Sequence, residues 1–178
     1  MNICLFMIFP YQLKMAEKKK IISCRSKHVK GAIEIEKANT WYNYLKENIV
    51  WEEGVRSKLG FTRLAKSVTV DDFPEVYEMI IDVLNKIKSK VKYILLGIYI
   101  NYYTDGNMWC PNHTHPGTHQ IVISLGATRK FHLGKKDILV ENGDAVIFGS
   151  AVHGLPKDEA IKEGRISIAV LLLPIASE

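Results

Sequence analysis

The sequence predicts an α+β fold, with helices in the first half and a jelly roll or barrel in the second. Two observations carry this. Apolar residues recur at helical spacing near residues 76–87. From Val91 onward, short β-type runs alternate with turns bearing Gly, Asn or Pro, at the spacing of an all-β jelly roll or barrel. With 178 residues and no internal repeat, low-complexity stretch or linker, the chain reads as one domain over 21–178 behind a basic extension over 1–20.

In order, Met1 to Tyr11 is apolar but too short to span a bilayer, and it lacks the basic start and small-residue cleavage site of a signal peptide. Met15-Ala16-Glu17-Lys18 reads like a second protein start, so the first residues are expected to be weakly structured. The alternative is an added edge strand packing Leu5, Met7 and Phe9. Residues 21–36 read as loop with one or two strands. Asn39-Thr40 can cap a helix through about Asn48, with Trp41, Leu45 and Ile49 on one side. Residues 49–69 read as irregular or hairpin-like.

Asp71-Asp72-Phe73-Pro74 is a helix opening, an Asp cap followed by Pro in the first turn. Val76, Ile80, Val83, Leu84 and Ile87 then share a face, and Lys86, Lys88 and Lys90 suit the negative end. That helix is expected to cover one face of a sheet. Strands are expected at 93–103, 119–125, 129–133, 137–140, 144–148 and 165–173, with Gly143-Asp144 as a turn.

The formal net charge is +5, but residues 1–30 hold seven Lys/Arg against Glu17, leaving −1 for the rest. The basicity belongs to the tail, and such a tail more often solvates than binds nucleic acid. Cys4, Cys24 and Cys110 are odd in number and scattered, which points to a reducing intracellular compartment, cytoplasm or nucleus, and not to a disulfide framework.

The chemistry concentrates between Asn101 and Arg165. His113 and His115 are one residue apart and, if extended, point to the same face. A third imidazole, His153, from a distant strand would close a three-point metal site with positions left open. A lone histidine is most often a satisfied structural residue; three in this pattern argue for ligation. His119 would pair with His115 only on a helix, which Pro116-Gly117 disfavours, so it stays outside the set.

The order Asn101-Tyr102-Tyr103, Asp105-Gly106, His113-Thr114-His115, Ser124-Leu125-Gly126, Gly143-Asp144, His153 and Arg165 resembles the AlkB-like branch of the iron(II)/2-oxoglutarate oxygenases. Their pattern is an Asn-x-Tyr strand, an acidic-Gly turn, a His-x-Asp pair, a Ser-Leu-Gly strand, a Gly-Asp, a distal His and an Arg opening the last strand. The resemblance covers about the last 80 residues. It departs at His115, where the family has Asp, and at Leu171, where it usually has a second Arg.

The resemblance implies a double-stranded β-helix with the N-terminal helices packed on one sheet. It implies iron(II) on His113, His115 and His153, with 2-oxoglutarate and O₂ as cosubstrates. Arg165 would hold the distal carboxylate of 2-oxoglutarate as a bidentate fork, aided by Tyr103, Asn101 and Ser167. Trp51, Arg56 and Arg63 would lie in a substrate-facing lid, and Arg129 near nucleic-acid phosphates. The plainer reading of those four is packing for the aromatic and solvation for the arginines.

The expected activity is hydroxylation of a C–H or N-methyl group, with an alkylated nucleobase in a nucleic acid as one substrate. The alternatives are an inactive jelly-roll binding module and a three-histidine metalloenzyme that does not use 2-oxoglutarate. No membrane partner is expected, and the sequence leaves oligomeric state open.

Overall fold

The computed structural model describes residues 5–7, 24–54, 62–87 and 91–175. They form twelve strands: β1 (Leu5–Met7), β2 (Lys27–Val29), β3 (Glu52–Glu53), β4 (Leu64–Val68), β5 (Lys92–Tyr103), β6 (Cys110–His113), β7 (His119–Gly126), β8 (Arg129–Leu133), β9 (Lys136–Val140), β10 (Ala145–Phe148), β11 (His153–Leu155) and β12 (Arg165–Ile175). Two helices precede most of them: α1 (Ile35–Asn48) and α2 (Pro74–Ile87). No described helix is long and apolar enough to cross a membrane.

The strands make two sheets. The larger runs β2-β10-β7-β12-β5-β4-β3, with β1 parallel to the start of β5; the smaller runs β6-β11-β8-β9. β1 is the edge strand that the apolar start allows as its alternative; Phe9 and the rest of the extension lie outside the described residues.

The two faces of the large sheet do different jobs, because side chains alternate along a strand. Ile98, Ile100, Ile121, Ile123, Leu125, Ile166, Ile168, Val170 and Leu172 join one cluster with Val76, Ile80, Val83 and Leu84 of α2 and Ala38 and Leu45 of α1. The opposite face, with Val122 and Tyr103, meets Phe131, Phe148 and Leu155 in a second cluster. The helices cover the outside; the site lies on the inner face. Both helices therefore serve as scaffold.

Two helix starts differ from the sequence reading. α1 begins at Ile35, not at Asn39-Thr40: the Glu34 carbonyl already accepts the Ala38 N–H at 2.8 Å, and the Thr40 hydroxyl turns back to the Glu36 carbonyl at 3.0 Å. A hydroxyl that bonds one turn back is compatible with the helix interior, so the capping signal is overridden. At α2 the Phe73 carbonyl accepts from Val76 and Tyr77, so Phe73 occupies the cap position ahead of Pro74. The Asp72 carboxylate instead closes the preceding turn, accepting from Thr69 N–H and Thr69 hydroxyl at 2.8 Å each.

Gly143-Asp144 is a turn, as expected. Gly143 has φ +87°, and a Cβ there would sit 2.3 Å from the Ile33 carbonyl oxygen, so only glycine fits. The Asp144 carboxylate accepts from Gly31 N–H (2.9 Å) and Glu141 N–H (3.0 Å) and lies 2.7 Å from His28 Nε2, pinning β2 against β10.

Candidate metal and anion site

Between the sheets lies a cavity of about 430 Å³, and it receives both halves of the expected site: Asn101, Tyr103, His113, His115, His153, Arg165 and Ser167 all line it. β6 and β11 bring two of the imidazoles together, since His153 and His113 are direct antiparallel partners. His115 follows two residues past the end of β6. The ring centroids lie 4.2 Å (His113–His153), 4.9 Å (His113–His115) and 5.6 Å (His115–His153) apart. One nitrogen from each falls within 4.8 Å of the others.

The orientation of two rings is fixed by backbone carbonyls. His113 Nδ1 donates to Pro111 O at 2.8 Å and His153 Nδ1 donates to Ala151 O at 3.0 Å, the acceptor lying two residues upstream in each case. A ring that spends its Nδ1 proton on a carbonyl presents a bare Nε2 lone pair, the tautomer a metal needs. Burial pushes His153 down to about 4, so it is neutral near pH 7. Burial, then the neighbouring His113, also holds His115 below the usual imidazole range. Hydrogen bonding to Cys110 raises His113, with Cys110 Sγ 3.8 Å from its Nδ1.

The donor set fits a divalent ion. Three neutral imidazoles suit zinc as well as iron(II), and unlike a set containing Asp they leave the full charge on the metal. His119 stays outside: it is buried against Tyr93, with its Nδ1 3.2 Å from the Tyr93 hydroxyl.

Arg165 supplies the anion half. It is 1% exposed, yet among the described residues no carboxylate pairs with it. Its Nε donates to Ser124 Oγ at 2.9 Å, its guanidinium lies 5.6 Å from the Tyr103 ring centroid, and its Nη2 has no partner. Burial pushes Arg165 down to about 10, still cationic at neutral pH. A buried cation without a counter-charge is costly unless a ligand supplies one. Burial likewise raises Tyr103 to about 12, so its hydroxyl remains a donor.

The pairing register explains how these side chains come to share a wall. Tyr103 and Gly126 flank Arg165, and Asn101 and Ser124 flank Ser167, on either side of β12. Charged and hydrogen-bonding groups thus fill two adjacent rows of the inner face.

Among the substrate-side residues, the structure separates one from the rest. Arg63 lines the cavity, its Nε donating to Asn101 Oδ1 at 2.8 Å. Trp51 does not: its ring packs 5.1 Å from Tyr102, which belongs to the helix-side core, and its Nε1 donates to Lys46 O at 3.2 Å. Arg129 is 1% exposed and donates to the carbonyls of Asp105 (3.1 Å), Met108 (3.0 Å) and Pro156 (2.8 Å). It ties the β5–β6 loop to the β11–β12 loop and is turned away from solvent phosphates. Arg56 lies outside the described residues.

Sequence reasoning missed Gln120, a buried amide whose Nε2 has no partner and whose side chain lines the cavity. A single amide at the head of an apolar run carries no distinguishing pattern. What marks it is the alternation that buries Ile121 and Ile123 on the helix side and turns Gln120 to the inner face.

No family model and no curated protein matches the sequence. Solved structures match in fold. HygX from Streptomyces hygroscopicus, with nickel and 2-oxoglutarate bound, is 9% identical, covering 84% of this chain and 82% of its own, with a TM-score of 0.67. A 2OG-Fe(II) oxygenase-family oxidoreductase from Burkholderia pseudomallei is 12% identical over 83% of this chain and 85% of its own, TM-score 0.60. A Pseudomonas putida prolyl-4-hydroxylase is 10% identical over 85% and 93%, TM-score 0.53. The chain has the jelly-roll fold of the 2-oxoglutarate/iron(II) oxygenases. The double-stranded β-helix with helices on one sheet, expected from the sequence, is the architecture observed.

Proposed function

We propose that this protein is an iron(II)- and 2-oxoglutarate-dependent oxygenase in which His113, His115 and His153 hold the metal and Arg165 holds the distal carboxylate of the cosubstrate. One observation carries the reading: a buried guanidinium with a free Nη2 opens on the same cavity as three converging imidazoles. Iron(II) with 2-oxoglutarate and O₂ supplies oxidation of a C–H bond to C–OH, the cosubstrate leaving as succinate and CO₂.

The chain's own part is positioning. Pro111 O and Ala151 O lock two imidazoles with Nε2 presented to the metal. Arg165 supplies the fixed positive fork and Ser124 steadies it from Nε. Tyr103, protonated at neutral pH, has a hydroxyl to donate beside that fork, and Ser167 stands in the next row of the same wall. Asn101 is held by Arg63, so its Nδ2 is the part left for a ligand. The inner cluster of Phe131, Phe148 and Leu155 walls the site against water.

The order of motifs from Asn101 to Arg165 supports an AlkB-like assignment, and with it an N-methyl group on a nucleobase as the target. There the hydroxymethyl product would release formaldehyde. The test is succinate formation from 2-oxoglutarate with and without iron(II), then its stimulation by single-stranded oligonucleotide bearing 1-methyladenine or 3-methylthymine. No succinate at any iron concentration removes the oxygenase reading. Succinate without stimulation by either oligonucleotide removes the nucleobase.

A second reading is favoured by His115: a three-histidine metalloenzyme, zinc included, that does not use 2-oxoglutarate. Metal content of the purified protein together with the succinate assay separates the two.

A further inference from the structure

The inner face of the large sheet is a grid whose chemistry changes row by row. Across β5, β12 and β7 the rows read Tyr103–Arg165–Gly126, Asn101–Ser167–Ser124, Tyr99–Ala169–Val122 and Gly97–Leu171–Gln120. Successive rows are roughly 7 Å apart, so the last lies roughly 20 Å along β12 from Arg165. The first two rows are polar. The third is apolar apart from the Tyr99 hydroxyl, and the fourth holds one amide.

That fourth row belongs to the histidine end of the cavity. Gln120 pairs directly with Phe148 of β10, and the Phe148 ring lies 4.7 Å from His153. A cosubstrate seated on Arg165 fills the polar rows and meets the histidines at its far end, leaving the Gly97, Leu171 and Gln120 row beside them uncovered.

Three features shape what it can take. Gly97 contributes no side chain, and the Tyr99 ring folds over that gap: a Cβ on Gly97 would lie 3.1 Å from Tyr99 Cε2. Leu171 forms the floor between β5 and β7. Gln120 stands on the far side, 3% exposed, with an Nε2 that no described residue accepts from. Beside Leu171/Leu172 the β5–β12 ladder shifts register by one residue, a bulge of the kind that re-aims side chains near sites. Among the described residues the cations at the rim are engaged, Lys66 by Glu52 and Arg63 by Asn101.

We infer that Gln120 is the specificity-determining residue of a substrate slot bounded by Tyr99, Gly97 and Leu171, which takes a planar ring presenting a carbonyl oxygen. Nε2 donates to that carbonyl, and the Tyr99 ring and Leu171 cover the apolar body. Lactams and pyridones belong to this class. The inference deepens the oxygenase reading and rests on it only in assigning this end of the cavity to substrate.

The test needs no turnover. Binding of 1-methyl-2-pyridone and of toluene to the full-length protein is measured by ligand-observed NMR, for wild type, Gln120→Leu and Gln120→Met. Wild type is expected to prefer the pyridone by about tenfold, the discrimination typical of one buried hydrogen bond, and both variants to lose that preference while binding toluene at least as well. Two variants guard against one misfolding, and folding is checked by unfolding curves. An unchanged preference in either folded variant, or no pyridone binding to wild type, overturns the inference. The succinate assay fails or succeeds independently: no succinate with the pyridone preference intact sinks the oxygenase reading and leaves the slot.

Discussion

Replacing Arg165 with Met should make the protein more stable and less able to bind 2-oxoglutarate. Burial pushes Arg165 down from the ordinary guanidinium range to about 10, which corresponds to roughly 3 kcal/mol of cost for keeping the guanidinium charged in the fold at neutral pH. Methionine removes that cost and keeps much of the volume. Against this stands the bond to Ser124 Oγ, worth about 1 kcal/mol. The net is a gain of about 2 kcal/mol without ligand, or roughly 4–8 °C in melting temperature for a chain of this size.

Ligand binding should move the other way. Loss of one partner of a buried charge pair costs about 2–5 kcal/mol, so affinity for 2-oxoglutarate should fall between about thirtyfold and several-thousandfold. The assay is urea and thermal unfolding of wild type and Arg165→Met loaded with manganese, with and without 2-oxoglutarate. Wild type should gain stability from the ligand by mass action, and the variant should start higher and gain little. A variant destabilised by more than about 1 kcal/mol without ligand, or one that keeps the full gain from 2-oxoglutarate, refutes the reasoning.

Other perturbations test other parts. His153→Ala should abolish stoichiometric metal binding, read by mass spectrometry of metal content, because it removes a ligand whose Nε2 is pre-set by Ala151 O. His115→Asp should shift preference from zinc toward manganese or iron(II) in a competition titration, since a hard anionic oxygen replaces a neutral nitrogen. Arg129→Met should destabilise by about 3–5 kcal/mol in urea unfolding, because three loop carbonyls lose their donor.

The metal-free protein should also lose stability as pH falls. His153 sits near 4 in the fold, below its unfolded value, so the unfolded chain binds more protons between about 6.5 and 4. That contribution is complete above 6.5 and lost as pH falls through 4, at most about 3 kcal/mol. Unfolding of wild type and His153→Gln at pH 7 and 4 should show the wild-type loss shrinking in the variant.

How much was legible follows from where each signal resides. The long strands β5, β7 and β12 announce themselves as β-type runs, and their alternation places Asn101, Tyr103, Arg165 and Ser167 on one face without further information. The short strands do not. β6 contains Pro111 and two polar residues, and β11 is His-Gly-Leu; both exist through their pairing with each other and, for β11, with β8. The histidines could therefore be recognised by type and order, but the register that sets His153 opposite His113 is a tertiary fact. Arg129 is the sharpest case. Two of its three acceptors, Asp105 O and Met108 O, lie in the loop between β5 and β6 and the third, Pro156 O, in the loop after β11, so no local pattern tells a loop-tying arginine from a solvated one.

The two buried arginines make the argument for function in a way that neither could alone. Both lie within 6 Å of the Tyr103 ring centroid, Arg129 at 5.9 Å and Arg165 at 5.6 Å, and both are 1% exposed. Arg129 directs its terminal nitrogens at three carbonyls and leaves only Nε unmatched. Arg165 does the reverse: Nε is satisfied, and Nη2 at the tip, the end that meets a carboxylate, has no partner. A fold that needed Arg165 only for packing would have gained by an apolar residue there, as the Met variant should. Its presence beside a neighbour whose terminal nitrogens are both engaged is accounted for by an anion in the cavity, and the neutral histidines leave a divalent ion its full charge to share that anion.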